Sequence, residues 1–172
     1  MYKIVKNVFF LALTPLVWLC TACAGGVGEP APRVVALDQD GNKVDFGMLY
    51  DKGLVLVFFY PKAGTSGCTA QACSLRDAYE ELSDEGLVIV GVSSDKAESQ
   101  KEFRKKNRLP FILIPDNKKK VIKAFKVPTF FGFSKRQAFL IQNGRIVWHD
   151  SSASTSEQAA DIKVQLLRLN AK

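Results

Sequence analysis

An α/β sandwich, with a central mixed sheet flanked by helices, is the fold class that three observations in this sequence predict. Two apolar runs of strand length, Leu54–Tyr60 and Leu87–Ser93, show no polar alternation, as expected of strands covered on both faces. Stretches of helical period separate the strand-like runs, the mark of parallel strands joined by crossover helices. Asn143-Gly144, between two short β-prone segments, is the strongest short-range signal for a closing antiparallel hairpin. At 172 residues, 47% of them hydrophobic and 24% charged, the chain is long enough for one well-buried domain and short for two.

The first 22 residues stand outside that fold. Lys3 and Lys6 make a basic start, Val8–Leu19 is an apolar core interrupted only by Thr14 and Pro15, and small residues follow. That is the layout of an export leader. Its end reads two ways. Leu19-Cys20-Thr21-Ala22-Cys23 resembles a bacterial lipobox with Cys23 as the lipidated residue, although Cys20 stands where an apolar residue is usual. Ala22-Cys23-Ala24 also fits an A-x-A cleavage site that would release a soluble protein. The glycines after Cys23 favour the lipoprotein, because an anchored domain needs a flexible tether. The expected organisation is a leader over 1–22, a tether over 23–33 and one domain over 34–172, on the periplasmic side and anchored at the membrane.

Within the domain each element has its own warrant. Val34–Leu37 and Lys43–Phe46 bracket Asp-Gln-Asp-Gly-Asn and predict an opening hairpin. The strand 54–60 follows. Leu75, Ala78, Tyr79 and Leu82 recur at helical spacing and predict a helix over Thr69–Ser83. After the strand 87–93 come a helix over Glu98–Asn107, a short strand over Ile112–Ile114 and a helix over Lys118–Phe125. Ala138–Ile141 and Arg145–Trp148 form the closing hairpin, and Ser156-Glu157 opens a last helix that ends near Leu169. Strands alternating with helices, then a hairpin and a helix, describe the thioredoxin-like version of this sandwich.

The chemistry concentrates between Pro61 and Cys73, P-K-A-G-T-S-G-C-T-A-Q-A-C. Pro61, Gly64, Ser66 and Gly67 are breakers that make a loop between the buried strand and the helix. Cys68 is thereby delivered to about the first turn of that helix, where free N–H groups and the macrodipole favour an anion. The thiolate is the reactive form of cysteine. No carboxylate lies between Pro61 and Arg76, while Lys62 and Arg76 flank the loop. Cys73 follows five residues later. On one intact helix the two Cα atoms would be roughly 8.6 Å apart by standard geometry. That exceeds the ~7 Å that a disulfide tolerates without backbone movement. Either the two thiols are unrelated or the helix unwinds when they join.

The run P-x-x-x-T-x-x-C at Pro61, Thr65 and Cys68, with Cys73 in Gly67-Cys-Thr-Ala-Gln-Ala-Cys-Ser-Leu-Arg-Asp77, resembles the peroxiredoxins of the Q (bacterioferritin comigratory protein) subfamily, which are AhpC/TSA-like. The resemblance runs over roughly residues 34–170 and includes Val90–Asp95, Leu109–Phe111 and Lys135–Ile141. It implies a peroxiredoxin-type thioredoxin fold and a thiol peroxidase of the atypical two-cysteine kind, acting on hydrogen peroxide and organic hydroperoxides. By the same resemblance Cys68 is peroxidatic and Cys73 resolving, joined in turnover by an intramolecular disulfide. Thr65 and Arg136 would orient the peroxide, and Pro61 would shield the pocket. No cofactor is implied. Where the family more often has an acid-rich, proline-containing loop, this chain has Ala63-Gly64 and Ser66. The domain holds no C-x-x-C, so a thioredoxin-like dithiol reductant is expected as partner.

Other residues define the rival readings. The formal charge of +7 clusters in Lys101–Arg108 and in Lys118–Lys120 with Lys123 and Lys126. Such helix faces are solvated and suit weak attraction to anionic head groups. No nucleic acid is an expected partner outside the cytoplasm, and the assembly expected is a monomer or weak dimer. Arg76 is a second candidate for the site, or else pairs with Asp77 or Glu80. His149, the only histidine, sits among Asp150 and two serines and reads as solvent-exposed, so neither a Cys–His hydrolase nor a metal site is expected. The alternative function is an exported thioredoxin-fold protein with a disulfide-exchange or noncatalytic binding role.

Overall fold

The computed structural model describes residues 26–171; the expected leader over 1–22, with Cys20, and the lipidation candidate Cys23 lie outside the described residues. At its centre five strands lie in the order β5 (Ile112–Pro115), β4 (Leu87–Ser93), β3 (Leu54–Phe59), β8 (Gln137–Gln142), β9 (Arg145–Asp150). β3, β4 and β5 are parallel, whereas β8 and β9 are antiparallel to their neighbours. Asn143 and Gly144, at φ 50° and 75°, make the tight turn between β8 and β9.

Side chains alternate along a strand, so each strand feeds two cores. Leu56, Phe58 and Tyr60 face one, with α2 (Ser66–Asp77), α3 (Tyr79–Asp84), α4 (Ala97–Asn107) and α6 (Gln158–Asn170) contributing Leu75, Leu82, Phe103 and Ile162. Val55, Val57 and Phe59 face the other, covered by α1 (Phe46–Tyr50) and α5 (Lys120–Ala124). Both faces of β3 are therefore dry, which is why its sequence lacks alternation. Opposite Phe58 in the β3–β4 register stands Gly91; a Cβ there would lie 2.7 Å from the Phe58 ring and 2.8 Å from Leu113. The opening hairpin, β1 (Val35–Leu37) and β2 (Lys43–Asp45), is pinned to the sheet where Leu113 N–H donates to Gln39 Oε1 at 2.9 Å.

Five details differ from the sequence reading. The helix bearing the cysteines begins at Ser66 rather than Thr69 and breaks at Ala78, so the expected 69–83 helix is two helices. Gly67 and Ser66 read as breakers, but first-turn amides have no intrahelical bond to lose. Phe46 starts α1 instead of ending a strand, because the Asp45 carboxylate caps that helix by accepting from Gly47 N–H at 2.9 Å. A small hairpin, β6 (Thr129–Phe130) and β7 (Phe133–Ser134), had no recognisable turn signal. The stretch expected as a tether over 23–33 is seated from Gly28 onward. Gly28 N–H donates to Ile146 O at 2.7 Å, Ala31 N–H donates to Gly144 O at 2.8 Å, and Ala31 is buried. Finally His149 is not solvent-exposed. Its ring stacks on Phe139 at 4.2 Å with Nε2 3.2 Å from Gln137 Oε1.

Candidate active site

The carboxyl end of β3 runs into Pro61-Lys62-Ala63-Gly64, and Thr65 is the N-cap residue from which α2 starts. Thr69 N–H to Thr65 O, at 2.9 Å, is the first bond of that helix. The amides before it, Cys68 included, stand at the open, positive end. Gly64, at φ 78°, makes the turn into the helix. The Thr65 hydroxyl closes the loop on itself by donating to Lys62 O at 3.0 Å. Pro61 is half-buried at the loop's entrance.

Cys68 is 1% exposed, and Arg136, just before β8, brings Nη2 to 3.5 Å from its Sγ. The other guanidinium nitrogen donates to Gln71 Oε1, one turn after Cys68, and Gln71 Nε2 donates to Gln158 Oε1 at 2.8 Å. Gln158 Nε2 is buried without a partner among the described residues. So α2 presents a thiol and an amide on one face, and one arginine spans both. Gly67 makes room for it: a Cβ there would meet Arg136 Nη2 and Thr155 Cγ2, each at 3.3 Å.

Beneath the loop lies a buried polar chain that no sequence motif announced. Tyr60 O–H donates to Gln100 Oε1, and Gln100 Nε2 donates to Ser93 Oγ. Ser93 O–H then donates to Asp95 Oδ2 at 2.7 Å, and the same oxygen accepts Ala63 N–H at 2.7 Å. Burial pushes the Tyr60 phenol well above its ordinary range, which keeps it a neutral donor. Asp95, just past the end of β4, thus ties the loop to this polar chain through the Ala63 amide. Every link pairs a donor with an acceptor, as a buried network requires.

Cys73 faces elsewhere. It is half-buried with Sγ 4.0 Å from Asn107 Oδ1, at the end of α4. Arg76 lies on that side too: it pairs with Asp77 at 2.6 Å and donates to Asn107 O at 2.9 Å, not toward Cys68. The Asp77 carboxylate, and to a smaller extent the Cys73 sulfur, hold the Arg76 guanidinium more firmly charged. Both cysteines are free and α2 is continuous between them, so the pair keeps the roughly 8.6 Å Cα spacing of a helix. A cavity of about 760 Å³ opens between Ala63-Gly64 and the α4 residues Ser99, Phe103 and Lys106, and neither Cys68 nor Arg136 lines it. Among the described residues there is no group of three or more His, Cys, Asp or Glu placed to hold a metal.

Residues 27–149 match the AhpC/TSA family. Over 122 residues the chain is 41% identical to peroxiredoxin Q, chloroplastic, of Oryza sativa subsp. japonica and to that of Triticum aestivum. Each match covers 70% of this chain and 56% of the relative, so the chain spans little more than half the length of those plant proteins. Among solved structures, peroxidoxin BcpB from Mycobacterium tuberculosis is 30% identical with a TM-score of 0.76, covering 84% of this chain and 97% of that one. Peroxiredoxin Q of Xanthomonas campestris has the same fold, with a TM-score of 0.73 at 23% identity and coverage of 78% and 90%.

Proposed function

Because the chain belongs to the AhpC/TSA family, as a relative of its peroxiredoxin Q members, we propose that it is a thiol-dependent peroxidase that works through Cys68 and Cys73. The observation that carries this reading is the buried Cys68 sulfur at the open end of α2 with a guanidinium nitrogen 3.5 Å away. The guanidinium and the helix N-terminus both put positive charge beside the sulfur, where it stabilises charge that moves onto oxygen.

Cys68 thiolate attacks the terminal oxygen of a hydroperoxide; an S–O bond forms as the O–O bond breaks, and the departing alkoxide or hydroxide takes a proton to leave as alcohol or water. Cys68 is left as sulfenic acid. Thr65 and Arg136 orient the peroxide, and Pro61 shields the pocket. The first turns of α2 then unwind. Cys73 sulfur attacks Cys68 sulfur, an S–S bond replaces S–O, and the hydroxide released is protonated to water. A thioredoxin-like dithiol reduces the disulfide and is itself oxidised. The helical separation of the two thiols supports this order, since closure needs movement.

The test uses the full chain with hydrogen peroxide and a dithiol. Cys68→Ser abolishes turnover. With one equivalent of hydrogen peroxide and no dithiol, Cys73→Ser stops the intramolecular disulfide and leaves Cys68 as a sulfenic acid seen by mass. Turnover retained by Cys68→Ser would end this assignment. We propose further that residues 1–22 are an export leader and that Cys23 carries the lipid of a periplasmic-side lipoprotein, on the lipobox-like sequence alone. The mass of the mature N-terminus separates an acylated Cys23 from a plain cleavage product.

A further inference from the structure

Away from Cys68, the β6–β7 hairpin departs from the rule that loop tips are polar. Phe130 pairs with Phe133 across it, and its turn is Phe131-Gly132, at φ 46° and 89°. A two-residue turn with both φ positive normally takes Asn-Gly or Asp-Gly. A phenylalanine there strains the backbone, and such outliers cluster at functional sites. It gains little burial in exchange: Phe131 is 86% exposed, Phe130 72% and Phe133 40%. The Phe130 and Phe131 rings, with centroids 4.3 Å apart, form one apolar tip.

Two cations, Lys62 and Lys119, stand beside that hairpin within a lysine-rich stretch of chain. From Asn117 to Arg136 the chain holds Lys118, Lys119, Lys120, Lys123, Lys126 and Lys135 and no Asp or Glu. Lys62 Nζ lies 5.8 Å from the Phe133 ring centre, and a Cβ on Gly132 would lie 3.9 Å from Lys119 Nζ. We propose that this hairpin is a docking wedge for an anionic lipid bilayer. The rings enter the boundary between head groups and acyl chains, and the lysines reach the phosphates. An acidic protein would use the lysines without needing the exposed rings. A second copy of this surface would oppose like charges. The wedge is tied to the proposed active-site rim, because Ser134 O–H donates to Tyr60 O at 2.8 Å and Lys62 belongs to the loop before Cys68. Docking would therefore turn that rim toward the membrane.

The probe is the full chain carrying Phe131→Trp, mixed with vesicles of phosphatidylglycerol and phosphatidylcholine and compared with the parent chain. The added tryptophan emission shifts to the blue and is quenched by brominated lipid with mixed vesicles, but not with pure phosphatidylcholine. Phe130→Ser with Phe131→Ser lowers vesicle co-sedimentation about tenfold or more. Lys119→Ala and Lys135→Ala lower it roughly fivefold each. Binding through the leader would be the same in every variant, and a thermal midpoint held within about 2 °C shows that the variants remain folded. The wedge is overturned by a tryptophan that stays in water, by one that shifts equally with pure phosphatidylcholine, or by a serine variant that binds as well as the parent once the binding of each to pure phosphatidylcholine is subtracted. It is also overturned if the blue shift accompanies dimer formation without lipid, or arises only with an acidic polypeptide.

Discussion

Gly67 occupies the narrowest place beside the Cys68 sulfur, and two effects oppose each other there. Replacing it with Ala gains up to about 1 kcal/mol of helix propensity. The new Cβ would stand 3.3 Å from Arg136 Nη2, so the guanidinium must shift by a few tenths of an ångström. Gly67→Ala should leave the thermal midpoint unchanged or raised while slowing oxidation of Cys68 about tenfold, because small misplacements are costly in catalysis. Stopped-flow oxidation and calorimetry on the same protein separate the two; an unchanged rate would mean that the seat of Arg136 does not limit the reaction. At His149 burial lowers the imidazole below its usual 6.5, against a smaller opposing pull from Asp150. A depressed base binds fewer protons folded than unfolded. Its contribution is present above pH 6.5 and is lost as pH falls through the lowered value. His149→Phe keeps the ring on Phe139 and removes that loss, so urea midpoints at about pH 7.5 and about pH 5 should differ less than in the parent. Equal differences would show that the histidine is not the group responsible.

At the scale of the element, β4 depends on Gly91. Phe58 and Leu113 fill the space that a Cβ would need, at 2.7 and 2.8 Å. Overpacking of this kind costs about 1–3 kcal/mol. Gly91→Ala should lower the thermal midpoint by roughly 3–10 °C, given about 2–4 °C per kcal/mol at this size. Adding Phe58→Leu should restore part of it; no recovery would mean that the strain lies elsewhere. The helix α5 shows another route to order. Asp116 accepts Lys120 N–H at 2.7 Å and Ile122 N–H at 2.8 Å, a cap placed four residues ahead of the helix. Burial raises the Asp116 carboxyl against those bonds. The break of α2 at Ala78 has no local cause in sequence, since alanine is the best helix former. Leu75 and Leu82 nevertheless reach the same core on either side of it.

For the molecule as a whole, the segment before β1 belongs to the folded body. Gly28, Glu29 and Ala31 exchange backbone bonds with Gly144 and Ile146 at 2.7–3.0 Å, and Arg145 donates to Gly28 O at 2.9 Å. A chain beginning at Gly26 keeps these bonds; one beginning at Pro32 loses them. At about 1 kcal/mol net for each bond, less the freedom regained, the shorter chain should be about 1–3 kcal/mol less stable. Equal urea midpoints would show that the segment only rests on the sheet. Among the described residues no helix is long and apolar enough to cross a membrane.

The sequence by itself determined the layers, because burial on two faces needs apolar runs and burial on one face needs helical period. It also determined where a cysteine meets a helix start, since Pro61, Thr65 and Cys68 are local. The resemblance named Arg136, but only the tertiary structure decided how it and its neighbours are seated around that sulfur. Arg136 reaches the sulfur from just before β8, Asp95 reaches the Ala63 amide from just after β4, and Gln158 reaches Gln71 from the start of α6, placements that depend on sheet order rather than on spacing along the chain. It likewise decided that His149 is stacked, that Gly28–Ala31 is docked and that three phenylalanines face outward, because each outcome is set by which neighbour packing supplies.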